Sequence, residues 1–405
     1  MNILLVSTYE LGRQPFGLSS PAAWLLDAGF QVTTVDCAVS PFPEADLSRY
    51  DVVAFYLPMH TATRLAAPLI NRVASENPHI RIICYGLYAP LNDSFLRQCG
   101  AHYIIGGEFE EELLRIIKRF EESREENVPS PFLEPPIISH ARLKFRLPYR
   151  KGLPGLSHYA RLYGLDEVPR LVGYVETTRG CKHHCRHCPI VPVYQGKFRL
   201  IQPEVVLADV AQQVEMGARH ITFGDPDFLN GPGHVIPLIQ KMHQQFPDLT
   251  FDVTIKIEHL LKHAHLLPEL ERNGCLIVTT AVESLDNKIL ARLKKGHSRE
   301  DFLEVVRLFR RFQMVLNPTF IPFNPWTSLT DYKDLLATLW KLGLAEQVSP
   351  IQLAIRLLIT NESPLLELPE IQEVITNYHQ EKLCYEWEHP QPEMDELQKS
   401  VLSMV

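Results

Sequence analysis

The sequence predicts an α/β protein made of two strand–helix domains, an N-terminal doubly wound sheet and a following open (β/α)6 barrel. Three observations predict it. Short apolar runs alternate with amphipathic stretches over residues 1–122. The alternation stops over 123–170, where charge and proline take over. It restarts at 171 and continues to 360. Strand–helix alternation with β-branched, apolar strands makes a parallel sheet covered on both faces.

In the first domain the apolar runs are 2–7, 31–35, 52–57, 80–84 and 103–106, with helical patterns at 20–28, 62–75, 92–98 and 108–122. Over 123–170 the stretch EESREENVPSPFLEPP reads as a surface linker. The basic, aromatic RLPYRKGLPGLSHYARLYG that follows either wraps the outside of the second domain or runs as a simple extended linker. In the barrel, strands are expected at 172–178, 219–224, 250–256, 276–282, 314–321 and 350–357. Helices are expected at 203–216, 234–246, 258–273, 298–312 and 329–343. Chemistry in such barrels sits on loops at the carboxyl ends of the strands. Residues 361–405 form a polar, partly helical tail.

Composition narrows the function. A net charge of −8 argues against a large nucleic-acid footprint. No apolar run reaches the roughly 18 residues of a membrane span. The N-terminal MNILLVSTYELG lacks a basic leader region and reads as a buried first strand. Eight cysteines are too sparse for a disulfide scaffold, yet three crowd into positions 181–188. That crowding points to a metal or cluster site in a reducing cytoplasm.

The stretch 175-VETTRGCKHHCRHCP-189 places Cys181, Cys185 and Cys188 in a C-x3-C-x2-C spacing, directly after the first barrel strand. Three thiolates from one short loop can ligate three irons of a cubane and leave the fourth open. The competing reading is zinc, held by the cysteines and one of His183, His184 or His187. Structural zinc ligands usually come as two separated pairs, and here there is one group. His183 and His184 are expected to face solvent.

Later strand ends carry polar residues. They are 222-TFGDPDFLNGPG-233, 253-VTIKIEHL-260, 280-TAVESLD-286 and 318-PTFIPFNPWTSL-329. Asp and Gly in the first are also ordinary helix-start residues. A lysine in a barrel layer, as at 256, is costly unless paired. Trp326 either lines a cavity or caps the barrel, and Arg356 points into the cavity or toward the tail.

The cysteine motif and these strand ends resemble the radical SAM superfamily. The resemblance implies a [4Fe–4S] cluster whose open iron is chelated by the amino and carboxylate groups of S-adenosylmethionine (SAM). An electron from the reduced cluster then breaks a carbon–sulfur bond. It places Gly224, Asp225 and Asp227 at the SAM ammonium, Lys256 at its carboxylate, and Glu283 and Ser284 at the ribose. His187 stands where the superfamily usually has an aromatic residue and would pack against adenine, which the backbone at Ile321 also contacts. A small-molecule substrate and an electron donor such as flavodoxin or ferredoxin follow, with no nucleic acid and no membrane.

The N-terminal domain resembles the cobalamin-binding, Rossmann-like domain of cobalamin-dependent radical SAM enzymes, with GGEFEEEL at its closing strand–helix junction. A D-x-H-x-x-G motif, which gives a histidine to cobalt, is absent, and His60 lies in a different context. Stretches such as STYELGRQPFGLSSPAAWL and RGCKHHCRHCPIVPVY are similar to radical SAM proteins named for a CUAEP or CCAEP tail. No cysteine follows Cys384, and the sequence ends at Val405 without that tail. Trimming, loss, or a selenocysteine misread as a stop would each produce this ending. The resemblance implies radical chemistry, either as cobalamin-dependent methylation or as a cobalamin-independent reaction that includes 3-amino-3-carboxypropyl transfer. A non-catalytic zinc module is the reading from another class.

Overall fold

The computed structural model describes residues 1–123, 134–164 and 167–405. Most of the expected charged linker therefore lies outside the described residues. Contacts divide the chain into two units. One comprises Met1–Gly180, Arg199–Thr222 and Gln380–Leu383; the other comprises Cys181–Phe198, Phe223–His379 and Cys384–Val405.

The first unit begins β1 (Asn2–Ser7), α1 (Phe16–Asp27), β2 (Gln31–Asp36), β3 (Val52–Tyr56), α2 (His60–Glu76), β4 (Arg81–Tyr85), α3 (Asp93–Gln98), β5 (Tyr103–Gly107), α4 (Glu110–Ser123) and β6 (Ile137–Ser139). The sheet order is β2-β1-β3-β4-β5-β6, with every neighbouring pair parallel. Strand β3 is buried along its whole length, as its unbroken VVAFY requires. Leu18, Leu25, Leu113 and Ile117 from α1 and α4 pack on Ile3, Leu5, Ile83 and Ile105. Strand order reverses between β1 and β3, which opens the usual ligand crevice at the carboxyl edge.

Strand β6 was not expected, since only three residues of the presumed linker pair with β5. The junction depends on Gly107. Its φ is +71°, and a methyl there would fall 2.1 Å from the Ser139 carbonyl that accepts from Glu108 N–H.

The chain continues through β7 (Arg161–Leu162), β8 (Arg170–Val175), β9 (Thr178–Gly180), α5 (Ile190–Tyr194), β10 (Phe198–Leu200), α6 (Pro203–Glu215), β11 (Ala218–Phe223), α7 (Pro232–Gln245) and β12 (Thr250–Thr254). It then forms α8 (Ile257–Lys262), α9 (Leu267–Arg272), β13 (Cys275–Glu283), α10 (Asn287–Arg292), α11 (Arg299–Phe309), β14 (Val315–Phe320) and α12 (Leu329–Leu342). The second sheet runs β14-β13-β12-β11-β8-β7. Its β7 edge is antiparallel to β8. The segment expected to wrap or link is anchored by Arg150. That side chain is 1% exposed, grips both oxygens of Asp209 at 3.0 and 2.7 Å and donates to Tyr174 O at 2.7 Å.

Helix starts fix the loops after the later strands. Asp286 caps α10 by accepting from the Lys288 and Ile289 amides. Ser298 with Asp301, and Ser328 with Asp331, form reciprocal capping boxes at α11 and α12.

The expected strand at 350–357 does not form. Residues Pro350–Leu353 make a 3-10 turn, and a single parallel bridge joins Phe323 to Arg356. Pro350 brings no N–H to a ladder, and Arg356 is drawn to the tail instead. Its guanidinium donates to Asp395 and to Trp387 O, and lies 3.5 Å from the Trp387 ring centroid. The tail folds as α13 (Pro369–Gln372), an antiparallel hairpin of β15 (Ile375–His379) and β16 (Cys384–Trp387), and α14 (Pro392–Leu402). Leu365, Ile371 and Trp387 share a core with Ile289 and Leu293, and half-buried Trp326 packs against it. No described helix is long and apolar enough to cross a membrane.

Candidate cofactor site

The cysteine loop opens after Gly180, whose φ of +76° turns the chain out of β9. Cys181 and Cys185 are 8% and 7% exposed, Cys188 is half-buried, and all three are free thiols. The loop is held from several sides. Arg186 N–H donates to Leu293 O at 3.0 Å, and its guanidinium donates to Arg292 O at 2.8 Å. The buried amide of Asn230 lies 3.7 Å from Cys181 Sγ. Burial, and then the neighbouring thiols, push Cys188 up to about 12. Three thiols on one loop are the donor set that irons satisfy, because coordination deprotonates a thiol outright.

Beside the loop, β13 ends in a bulge at Glu283, whose φ is +69°. A non-glycine residue held there stores strain. The bend brings Glu283 Oε1 to 3.1 Å from both His187 Nε2 and Lys295 Nζ. Burial pushes this carboxyl up, but Lys295 and then His187 outweigh it and hold Glu283 at about 2. Lys256 is 7% exposed and lies 3.6 Å from Glu258. Thr280 Oγ1 on β13 is buried without a hydrogen-bond partner among the described residues. A polar ligand in this layer would find donors and acceptors already stripped of water.

The expected residues divide into groups. His187 and Glu283 meet directly. Asp227 is bound up with His183, whose ring lies 3.2 Å from Oδ2. Asp225 is 2% exposed, and Gly224 is half-buried. Ser284 turns its hydroxyl to the Asp286 amide at 3.1 Å. The Ile321 N–H donates to Glu283 O at 2.9 Å, and its carbonyl accepts from Asn324. Glu283 and Ser284 also line a cavity of about 330 Å³ at the starts of α10, α11 and α12, with Arg299 and Tyr332.

One expectation is corrected. His183 does not face solvent, because its side chain is only 13% exposed and it contacts buried Asp227. Three partners were missed: Asn230, His259 and Lys295. Their signals were faint. His259 stands four residues before His263 in HLLKH, and Lys295 sits in an ordinary LKKG turn.

At the carboxyl edge of the first sheet, Tyr56, Tyr85 and Phe109 pack with ring centroids 5.0–5.8 Å apart. Glu10 is buried with one carboxylate oxygen lacking a partner among the described residues. Burial first, then the charges of Glu176 and Asp36, raise it to about 8. His60 Nε2 is occupied at 2.6 Å by Lys382 O. The edge therefore presents the unpaired Glu10 oxygen, while His60 Nε2 is already engaged.

Residues 175–336 match the radical SAM superfamily. They form a radical SAM domain. This radical SAM domain is of the kind that holds a [4Fe–4S] cluster and SAM and draws on an external reductant. Among curated relatives, a threonylcarbamoyladenosine tRNA methylthiotransferase, MtaB, from Chlamydia pneumoniae is 25% identical over 177 residues, covering 42% of each chain. A tRNA-2-methylthio-N(6)-dimethylallyladenosine synthase from Chlorobium chlorochromatii is 29% identical over 149 residues, covering 34% of this chain and 32% of that one. The chain thus spans well under half the length of these relatives. Among solved structures, the cobalamin-dependent radical SAM enzyme OxsB, with aqua-cobalamin bound, aligns with a TM-score of 0.73 at 16% identity. The alignment covers 98% of this chain and 66% of OxsB. The radical SAM methyltransferase TsrM from Kitasatospora setae aligns with a TM-score of 0.63 at 17% identity, over 84% and 70%. These likenesses show a shared fold: a parallel Rossmann-like sheet, followed by the curled α/β sheet of the matched domain.

Proposed function

We propose that this chain is a radical SAM enzyme in which Cys181, Cys185 and Cys188 hold a [4Fe–4S] cluster for reductive cleavage of SAM, ahead of chemistry on a small molecule. The carrying observation is three free, largely buried thiols on one loop of the matched domain. When bound, the cluster supplies the electron that breaks a carbon–sulfur bond of SAM.

The chain's own residues prepare that site. Asn230 directs an amide at Cys181 Sγ. Gly224 and Asp225 lie on the ammonium side, with Asp227 next to them already serving His183. Lys256 takes the carboxylate, a pairing that strengthens as water leaves. Glu283 and Ser284 face the ribose, while His187, oriented by Glu283, packs on adenine with the backbone at Ile321. The low exposure of Cys181, Cys185 and Lys295 keeps water from the reacting centre.

The first sheet extends the proposal to cobalamin-dependent methylation, in which residues at its carboxyl edge such as Glu10 would hold the corrin, while His60 Nε2 is already engaged by Lys382 O. A cytoplasmic flavodoxin or ferredoxin is the electron donor in this scheme. The curated relatives are tRNA-modifying by name, and the acidic net charge of −8 favours a small-molecule substrate here.

Anaerobic reconstitution, dithionite reduction and mass spectrometry of SAM products test the proposal. 5′-Deoxyadenosine or methylthioadenosine is expected, and their ratio identifies the bond broken. A fully loaded cluster with no SAM cleavage overturns the enzyme reading. Retention of corrin absorbance after hydroxocobalamin loading supports the methylation route. Its absence leaves the cobalamin-independent route.

A further inference from the structure

Next to the cysteine loop, three side chains from three different elements converge. They are His183 on the loop itself, Asp227 after β11, and His259 on α8. One ligand atom from each lies within 4.8 Å of the others. His259 Nδ1 is 2.7 Å and His183 Nε2 3.2 Å from the same oxygen, Asp227 Oδ2. We propose that His183, Asp227 and His259 form a second metal site, separate from the cysteines, that takes a divalent transition ion of the zinc type.

Several observations carry this beyond a plain hydrogen-bonded group. Asp227 is wholly buried and its other oxygen, Oδ1, has no hydrogen-bond partner among the described residues. A buried carboxylate is normally saturated by donors. His259 Nδ1 lies close to Oδ2 yet is too poorly aligned to count as a hydrogen bond. The 3.2 Å between His183 Nε2 and Oδ2 is about the spacing of two ligand atoms held tetrahedrally at about 2 Å from one ion, and the 2.7 Å to His259 Nδ1 would open slightly on binding. The far nitrogen of His183, Nδ1, lies 3.5 Å from Glu258 Oε2. A carboxylate behind a ligating imidazole fixes the ring and raises its basicity.

The donor set selects the ion. Two imidazoles and one carboxylate suit zinc, iron, cobalt or nickel in the divalent state, whereas calcium and magnesium prefer oxygen alone. Three protein ligands leave open positions, so the ion would keep water or accept a ligand atom. His183 stands between Cys181 and Cys185, so an ion here would also pin the cysteine loop to α8.

Cobalt(II) alone is the probe, added anaerobically to full-length protein already loaded with its iron–sulfur cluster. One cobalt per chain is expected, with visible ligand-field bands and no thiolate-to-cobalt charge transfer. His259→Gln and His259→Ala each lose that equivalent. Glu258→Gln weakens binding about 10–100-fold. Full-length protein with all three cysteines changed to alanine retains the cobalt. Thiolate charge transfer that vanishes in the cysteine variant would place the ion on the cysteines and overturn the site. Cluster-loaded protein that takes up no cobalt also overturns it, leaving an aspartate clamped by two histidines. The spectrum of unmutated protein decides even if the histidine variants fold poorly.

Discussion

Glu110 and Arg179 form a two-pronged ion pair, with guanidinium nitrogens 2.7 and 2.9 Å from the two carboxylate oxygens. The glutamate side chain is fully buried and the arginine 8% exposed. Ser20 Oγ donates to the same glutamate at 2.6 Å, and Arg179 Nε donates to Glu176 at 2.6 Å. The guanidinium also faces the rings of Phe109, Phe145 and Phe16. The start of α4 in the N-terminal sheet is thereby tied to β9, the strand that leads into the cysteine loop.

Breaking that pair from one side leaves a buried charge behind. Glu110→Ala is expected to destabilise the chain by about 3 kcal/mol, the low end for a broken buried pair, because Glu176 remains on Arg179. Removing both partners together, as Glu110→Leu with Arg179→Met, is expected to cost more than Glu110→Ala alone, because buried Glu176 and Glu108 then lose the guanidinium as well. Urea unfolding of the three proteins checks the order. A double variant more stable than Glu110→Ala would refute it.

Replacing any one of Cys181, Cys185 or Cys188 with alanine is expected to abolish SAM cleavage, lowering turnover by more than about 1,000-fold, since loss of catalytic-site electrostatics alone costs up to that. Iron content after reconstitution falls with it. Far-ultraviolet circular dichroism stays at the unmutated value, because the loop contributes few regular hydrogen bonds. Full cleavage by Cys188→Ala with normal iron would remove this cysteine from the ligand set.

Much of this fold was legible because burial on both faces leaves a plain mark. Strands β1, β3 and β4 of the first sheet appear as unbroken apolar runs, and α11 and α12 carry their capping boxes in sequence. The sixth barrel strand was misread for the same reason. PIQLAIRLL is apolar, but its proline and the pull of Asp395 on Arg356 lie outside local pattern. The three cysteines were legible because they are close in sequence. Asp227 and His259 were not legible as partners of His183, because they stand on elements far from it along the chain and only the fold brings the three side chains together.

Glu10 gives a pH dependence of stability. Its folded value is about 8 against an ordinary 4.5, so the folded state holds a proton that the unfolded state releases. A raised value contributes stability below pH 4.5 and loses it as pH climbs through about 8. Each unit within that window costs about 1.4 kcal/mol at most. Glu10→Gln, neutral throughout, is therefore expected to gain on the unmutated protein as pH rises from 6 to 8. Parallel pH dependence of the two urea midpoints would disprove the assignment.

Lys295 and Glu283 give the opposite sign. Lys295→Met leaves Glu283 buried with His187 alone, and a destabilisation of about 3 kcal/mol is expected at neutral pH. The depressed carboxyl contributes its stability above 4.5 and loses it as pH falls toward about 2. The gap between Lys295→Met and the unmutated protein should therefore narrow on acidification below 4.5. In the variant, burial goes largely unopposed and the Glu283 carboxyl titrates at higher pH. Urea midpoints of cluster-free protein, compared at neutral pH and near pH 4, measure both effects. A gap that widens on acidification would mean that Lys295 supports the fold through packing of its stem and not through its charge on Glu283.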